Sequence, residues 1–314
     1  MINVIMITAL GALVLARAPV AFHRPAARPA WIASLLGVLG LLSIGVLIPI
    51  PVADSWLGGT NILHLLRTAL PVAAFWFLRD AVALLVGGPP RRGGPLILCV
   101  MLAAQTTVFF QIPSRGPSST GFVDEHMVYV AGFMWAVLYV GQIMWIALTM
   151  VVMLLPMRKG IYVTFIIGGL ATAAGGIALV IHCGLILAGA QAPGAGGIPW
   201  VVFNTLFYPG ILTIVLGFMT ITLRDLCRVT RWKVAGYRLA RALSCYETQN
   251  ATGVSEADTG SLAGNPVLGA YRAVIQLRDL ENLDGVRLKP RDARLLAAVE
   301  HRMTAYHLSM ERSQ

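Results

Sequence analysis

Apolar runs long enough to cross a bilayer recur along this chain, at about 2–18, 30–50, 62–86, 95–112, 127–155, 161–189 and 199–222. A hydrocarbon core about 30 Å thick takes roughly 20 residues of helix to span. Inside it a segment must satisfy its own backbone polar groups, which a helix does. The runs predict an all-α membrane protein with about seven transmembrane helices. Composition agrees: 57% of the residues are hydrophobic and 12% charged, against about 25% charged in soluble domains. The formal net charge of +10 is no nucleic-acid footprint, because the basic residues flank apolar runs, where they orient a membrane protein. The expected solvent is the lipid bilayer, with no nucleic-acid partner.

Charge alternates between connections. Arg17, Arg24 and Arg28 follow the first run, Arg91 and Arg92 the third, Arg158 and Lys159 the fifth. Arg224, Arg228, Arg231, Lys233, Arg238 and Arg241 follow the seventh. The other connections hold Arg115, offset by Asp54, Asp124 and Glu125. Positive loops stay on the cytoplasmic side, so the expected topology is N-terminus outside and C-terminus cytoplasmic, in the plasma membrane. In "MINVIMITALGALVLARAPVAF" the charge follows the apolar stretch, whereas a cleavable signal peptide carries it in front. The first run therefore reads as an uncleaved span. Trp31, Trp56, Trp200 and Trp232 lie near expected span ends, as in an aromatic belt; Trp76, Trp135 and Trp145 lie deeper and read as packing.

The third run, "NILHLLRTALPVAAFWFLRDAVALLVGG", carries His64, Arg67, Arg79 and Asp80. A charge at a helix centre costs about 2.5–3.5 kcal/mol on insertion scales, but long side chains near an end can snorkel. Arg67 is expected to reach the outer interface and Arg79 the inner one. Asp80 is too short to follow and is expected to be a buried charge that finds a cation or donor in the bundle. Arg79 faces about 100° away on the helix, so it is not automatically that partner. Pro71 cannot donate to the carbonyl of Arg67 and is expected to kink the helix.

Polar side chains gather towards the outer half: Asn61, His64, Arg67, Gln111, Asp124, Glu125, His126, His182, Asn204 and Tyr208. Of these, Asn61, His64, Arg67, Glu125, His126, His182 and Asn204 are the candidates for a ligand or transport pocket. His64, His126 and His182 with a carboxylate offer zinc-type donors, but no two share a helix face at i,i+4 spacing, and no metal or other cofactor is expected. The chain has no phosphate-binding loop, nucleophile elbow, zinc-protease or dinucleotide motif, so it does not read as an enzyme. Interhelical hydrogen bonding accounts for the same polar residues without any ligand. In the sixth run Gly168, Thr172 and Gly176 recur at four-residue spacing, a face that lets backbones approach closely. That places the helix in the middle of the bundle. The four cysteines, Cys99, Cys183, Cys227 and Cys245, form no CxxC and read as free.

Four domains follow: a seven-helix membrane domain over 1–222, a basic extension of the last helix over 223–244, a flexible linker over 245–265 rich in Gly, Ser and Thr, and a helical tail over 266–314. In the tail, Val267, Tyr271, Val274, Ile275 and Arg278 follow helical spacing up to about Gly285, and Pro290 suits the first turn of a second helix. Two short helices bury little on their own. Tyr271, Arg272, Ile275 and Arg278 are the candidates for docking on a cytoplasmic protein partner, the membrane domain or a second copy.

"AYRAVIQLRDLENLDGVRLKP" (270–290) is similar to the "VIEIRD"-like helix that ends a family of actinobacterial seven-span membrane proteins. Their cytoplasmic C-terminal domain is of unknown function, and they are often labelled transporter or regulatory membrane protein. "NILHLLR", "MRKGIYVTFIIGGL" and the seven-span layout resemble it as well. Gln276 stands where that family carries an acid, and the turn after it is longer. The resemblance implies membrane location and a regulatory setting, and brings no catalytic residues. The expected function is a sensor or regulatory membrane protein with an outward polar pocket and a cytoplasmic interaction tail. The alternatives are a small-solute transporter and a membrane scaffold.

Overall fold

The computed structural model describes residues 2–45, 48–88, 94–113, 115–116, 122–157, 160–192, 196–250, 266–283 and 287–311. The basic pairs Arg91–Arg92 and Arg158–Lys159 lie outside these residues, as do 251–265 of the expected linker and Gly285. Among the described residues regular structure is entirely helical. The helices are α1 (Ile2–His23), α2 (Arg28–Leu42), α3 (Ile50–Trp56), α4 (Ile62–Leu85), α5 (Gly94–Phe110), α6 (Phe122–His126), α7 (Val130–Leu154), α8 (Ile161–Leu187), α9 (Ile198–Asn250), α10 (Pro266–Leu283) and α11 (Pro290–Glu311). Chain contacts divide them into two units, Met1–Phe218 and Met219–Gln314.

Five helical stretches of the first unit's sequence are long and apolar enough to cross a membrane: Pro25–Leu42, Ile62–Leu85, Val130–Met157, Ile161–Leu187 and the start of Ile198–Tyr246. Two shorter apolar helices join them, Leu10–His23 and Gly94–Phe110. The second expected run, 30–50, is not one helix. α2 stops at Leu42, Gly45 turns the chain at φ +88°, and α3 begins separately behind Pro49. The core is apolar, as in a soluble bundle, but the outer faces are apolar as well. Leu96, Val152, Ile167 and Val201 are exposed on the outer faces, while Thr68, Arg79, Gln105 and Thr172 are buried within. Apolar exteriors on helices long enough to cross a bilayer are what a lipid solvent selects, so the chain is a membrane protein.

α8 does not take the middle place its small residues suggest: α7 packs against α4, α5 and α8, whereas the small residues of α8 serve two neighbours, α7 and α9, rather than one face. A Cβ on Gly168 would meet Gly210 O and Ile214 at 2.9 Å, and one on Gly175 would meet the Phe207 backbone at 2.5 Å, so this side lies against α9. Gly169 and Gly176 lie instead against Val151 and Met144 of α7. Short polar cross-links join neighbouring helices. Gln105 Nε2 of α5 donates to Thr68 Oγ1 of α4 at 2.8 Å, and Gln142 Nε2 of α7 donates to Met101 O of α5 at 2.9 Å.

The second unit is a three-helix assembly with its own core. α9 runs to Asn250, past the start of the expected linker at 245, and presents Trp232, Ala235, Leu239, Ala242, Leu243 and Tyr246 along one stripe. α10 packs Ala270, Ala273, Val274 and Leu277 into it, and α11 adds Leu296 and Val299. Trp232 therefore belongs to this core rather than to an aromatic belt. The Tyr246 hydroxyl donates to Asp292 Oδ2 at 2.9 Å and accepts from the Lys289 backbone N–H at 2.7 Å, pinning the start of α11, where Pro290 takes the first position. Arg278 of α10 forks onto both Glu300 oxygens of α11 at 2.7 Å and reaches Glu281 at 2.6 Å.

Candidate functional site

The site begins at the N-terminus of α4. Asn61 stands in the left-handed conformation (φ +64°), which Asn tolerates better than most residues. Asp54 of α3, fully buried, accepts hydrogen bonds from Asn61 N and Leu63 N, each at 3.2 Å. A carboxylate on the free amides at a helix start is stabilising, and here it fixes α3 over α4. Asn61 Nδ2 donates to Arg115 O at 3.4 Å.

His64 follows on the first turn of α4, only 9% exposed. Its ring centroid lies 4.8 Å from Phe122 and 5.2 Å from Trp135. His126 stacks on the same Phe122 ring at 4.3 Å, and its Nδ1 lies 2.9 Å from Phe122 O. Both ring nitrogens of His64 are buried without a hydrogen-bond partner. Arg67, Asp54 and His126 all act on His64 electrostatically. Arg67, half-buried one turn further on, sits in turn within electrostatic reach of Tyr139 and Tyr208.

The structure thus brings together Asn61, His64, Arg67 and His126 of the expected pocket. His182 and Asn204 meet elsewhere, at Trp200. The His182 ring lies 5.2 Å from it, and Asn204 Nδ2 turns back onto Trp200 O at 2.9 Å. Trp200, Phe203 and Tyr208 continue as an aromatic series, with centroids 5.6 and 5.3 Å apart. Glu125 is exposed on α6. The side chain of Asp124 lies outside the described residues. Among the described residues no three His, Cys, Asp or Glu side chains gather as a metal would need. Asp54, Phe122, Trp135 and Tyr139 were not among the expected site residues. Asp54 had a signal, as the acid of the connection just before α4, but its backbone partners are invisible in sequence.

At the other end of α4, the expectation for Arg79 is corrected. Arg79 does not snorkel. Its side chain is 2% exposed, and its guanidinium lies 4.0 Å over the Trp76 ring. It also pairs with its neighbour Asp80, with Nε at 3.2 Å from Oδ1. Asp80, at 15% exposure, is the wetter member of the pair.

In the tail the docked face differs from the one expected. Ala270, Ala273, Val274 and Leu277 are buried, while Tyr271 and Ile275 remain 51% and 42% exposed, with Arg272 beside them. Tyr271 and Ile275 project away because a buried helix stripe follows 3–4 residue steps, and the stripe through Ala270 is offset from theirs by about one residue. Arg278 is held inside the unit by Glu281 and Glu300.

Comparison with family models, with curated proteins and with solved structures returned no match.

Proposed function

We propose that this chain is a sensor or regulatory protein of the plasma membrane, in which the cluster around His64 receives a polar ligand and the C-terminal unit reports its occupancy. One observation supports this above others: His64 holds both ring nitrogens buried without a partner, among Asn61, Arg67 and His126. Leaving a buried polar group unpaired costs about 1–3 kcal/mol, a cost that a ligand hydrogen bond would recover. The layout has seven spans, with N-terminus outside and C-terminus cytoplasmic. α5, at 17 residues, is at the lower limit of roughly 17–25 for a crossing helix. Alternating basic loops support the orientation. The exposed Leu268, Tyr271 and Ile275 stripe of α10 is then the surface offered to a cytoplasmic protein. The family resemblance of 270–290 supports the same regulatory setting.

The test is co-purification of tagged full-length protein from native membranes, comparing wild type with His64→Phe and Ile275→Asp. A cytoplasmic partner held by wild type, released by Ile275→Asp and altered in occupancy by His64→Phe is the expected result. A partner indifferent to both substitutions overturns the reading. The Arg79–Asp80 pair buried at the opposite end of α4 favours a second reading, a small-solute transporter, since intramembrane charges also mark transport paths.

A further inference from the structure

The cluster around His64 is rich in hydrogen-bond donors that nothing in it answers. Trp135 Nε1, which can only donate, is buried without a partner. His64, its ring 5.2 Å from that of Trp135, offers one N–H and one acceptor as a neutral imidazole, and neither nitrogen is engaged. Arg67 follows at i+3, on the same side of α4. It is half-buried, and among the described residues it makes no hydrogen bond or ion pair. The groups that act on it from neighbouring helices are phenols, Tyr139 of α7 and Tyr208 of α9. Asp54 accepts from the amides of Asn61 and Leu63, and no hydrogen bond joins it to His64 or Trp135. Glu125 is exposed on α6. An aromatic wall connects the donors. Phe122 lies 4.8 Å from the His64 ring, and Trp135 stacks on Tyr139 with centroids 6.4 Å apart.

We propose that the ligand of this cluster is a small carboxylic acid in its ionised form, its apolar body lying against the aromatic wall. An ionised carboxylate accepts hydrogen bonds and donates none. That is the complement of an indole N–H, an imidazole N–H and a guanidinium fork. A neutral amide brings N–H donors of its own, for which the cluster has few acceptors. The half-buried Arg67 and the exposed Tyr208 mark the open side of the site, with His64 and Trp135 deeper. The proposal rests on the ligand site proposed above and names its chemical class.

Equilibrium dialysis of the full-length protein in detergent, with radiolabelled benzoate or benzamide, tests the class. The probes share a ring and differ in charge and donors. Wild type is expected to bind benzoate at least about tenfold more tightly than benzamide, the order of a charge-assisted contact. This comparison needs no variant. Arg67→Gln should weaken benzoate binding by a similar factor, and Arg67→Lys by less. Trp135→Phe keeps the wall but removes the N–H, and should weaken benzoate several-fold. Asp124→Asn, which removes the other acid of α6, should leave benzoate binding intact or tighter. Thermal melts without probe check that each variant is folded. Benzamide bound as tightly as benzoate by wild type overturns the carboxylate class while leaving a neutral ligand open to the cluster, and the co-purification test of the proposed function stands apart from that result. Benzoate binding that survives both Arg67→Gln and Trp135→Phe, or is lost in Asp124→Asn, or is absent from wild type, overturns the proposal.

Discussion

Arg79 stays in the bundle because two partners meet it there: the Trp76 face at 4.0 Å and the Asp80 carboxylate. The snorkelling expected from helix position weighs only the distance to water. It omits the competing partners, and one of these is the adjacent residue. The asymmetry of the pair makes a prediction. Removing Asp80 leaves the deeper charge uncompensated, so Asp80→Leu should destabilise the protein by about 3–5 kcal/mol. Asp80→Asn, which keeps an acceptor, should cost less. Replacing both, Arg79→Met with Asp80→Leu, should recover much of the loss, because a buried pair exchanged for apolar groups is often neutral. Thermal unfolding of the purified proteins orders the variants. A double variant no better than Asp80→Leu would mean that Trp76 packing, not charge, sets the cost. The same limit explains Asp54: its side chain was visible as an acid near a span, but its role depends on the backbone of Asn61 and Leu63, which sequence does not place.

At the scale of elements, hydropathy located five helices long enough to cross and two shorter ones, because a run of apolar residues needs no partner to be recognised, but it merged α2 and α3 into one run. It failed where small residues do the packing. α10 docks through Ala270 and Ala273, which carry little hydropathy, while the larger Tyr271 and Ile275 drew the eye to the exposed face. α8 was legible in part: its small residues marked close packing, but Gly168 and Gly176, read as one face, lie against α9 and α7 respectively. Their tightness is testable. Gly175→Ala would drive a methyl into the Phe207 backbone, 2.5 Å from the new carbon, and should cost about 1–3 kcal/mol as overpacking. Gly184→Ala, whose new carbon first meets Phe133 at 4.0 Å, should be tolerated; a comparison of melting points decides. The α10–α11 contact adds a pH dependence. The Arg278 guanidinium holds Glu300 below its ordinary 4.5. The contribution is fully present above that value and is lost as pH falls through the lower folded value. The side chains of the pair are 42% and 32% exposed, so its effect is modest. The difference in unfolding between wild type and Glu300→Gln should therefore be present at neutral pH and shrink on acidification below 4.5. A difference that persists at low pH would show that Glu300 acts through packing instead.

At the scale of the whole molecule, the native cysteines report the proposed topology. Cys227 and Cys245 are exposed on the C-terminal unit, so an impermeant maleimide should leave them unlabelled in intact cells and react once the membrane is opened. In a cysteine-free background Thr60→Cys, at an exposed turn before α4, should label from outside; labelling of Cys245 in intact cells would reverse the orientation. Truncation then separates the readings of function. Each span satisfies its own backbone, so deleting 266–314 should leave the first unit inserted. The extension of α9 would fare worse. It would expose Leu239, Leu243 and Tyr246, which α10 and α11 now cover, and an isolated amphipathic helix is marginal in water. Limited proteolysis should therefore cut the truncated chain between Trp232 and Tyr246, where the full chain resists. In a regulator the same deletion removes Tyr271 and Ile275 and should abolish the partner's response while ligand binding around His64 survives. In a transporter, uptake or efflux should persist at a good fraction of its rate. Full signalling from the truncated chain would end the assignment of output to the C-terminal unit, and lost transport would end its separation from the bundle.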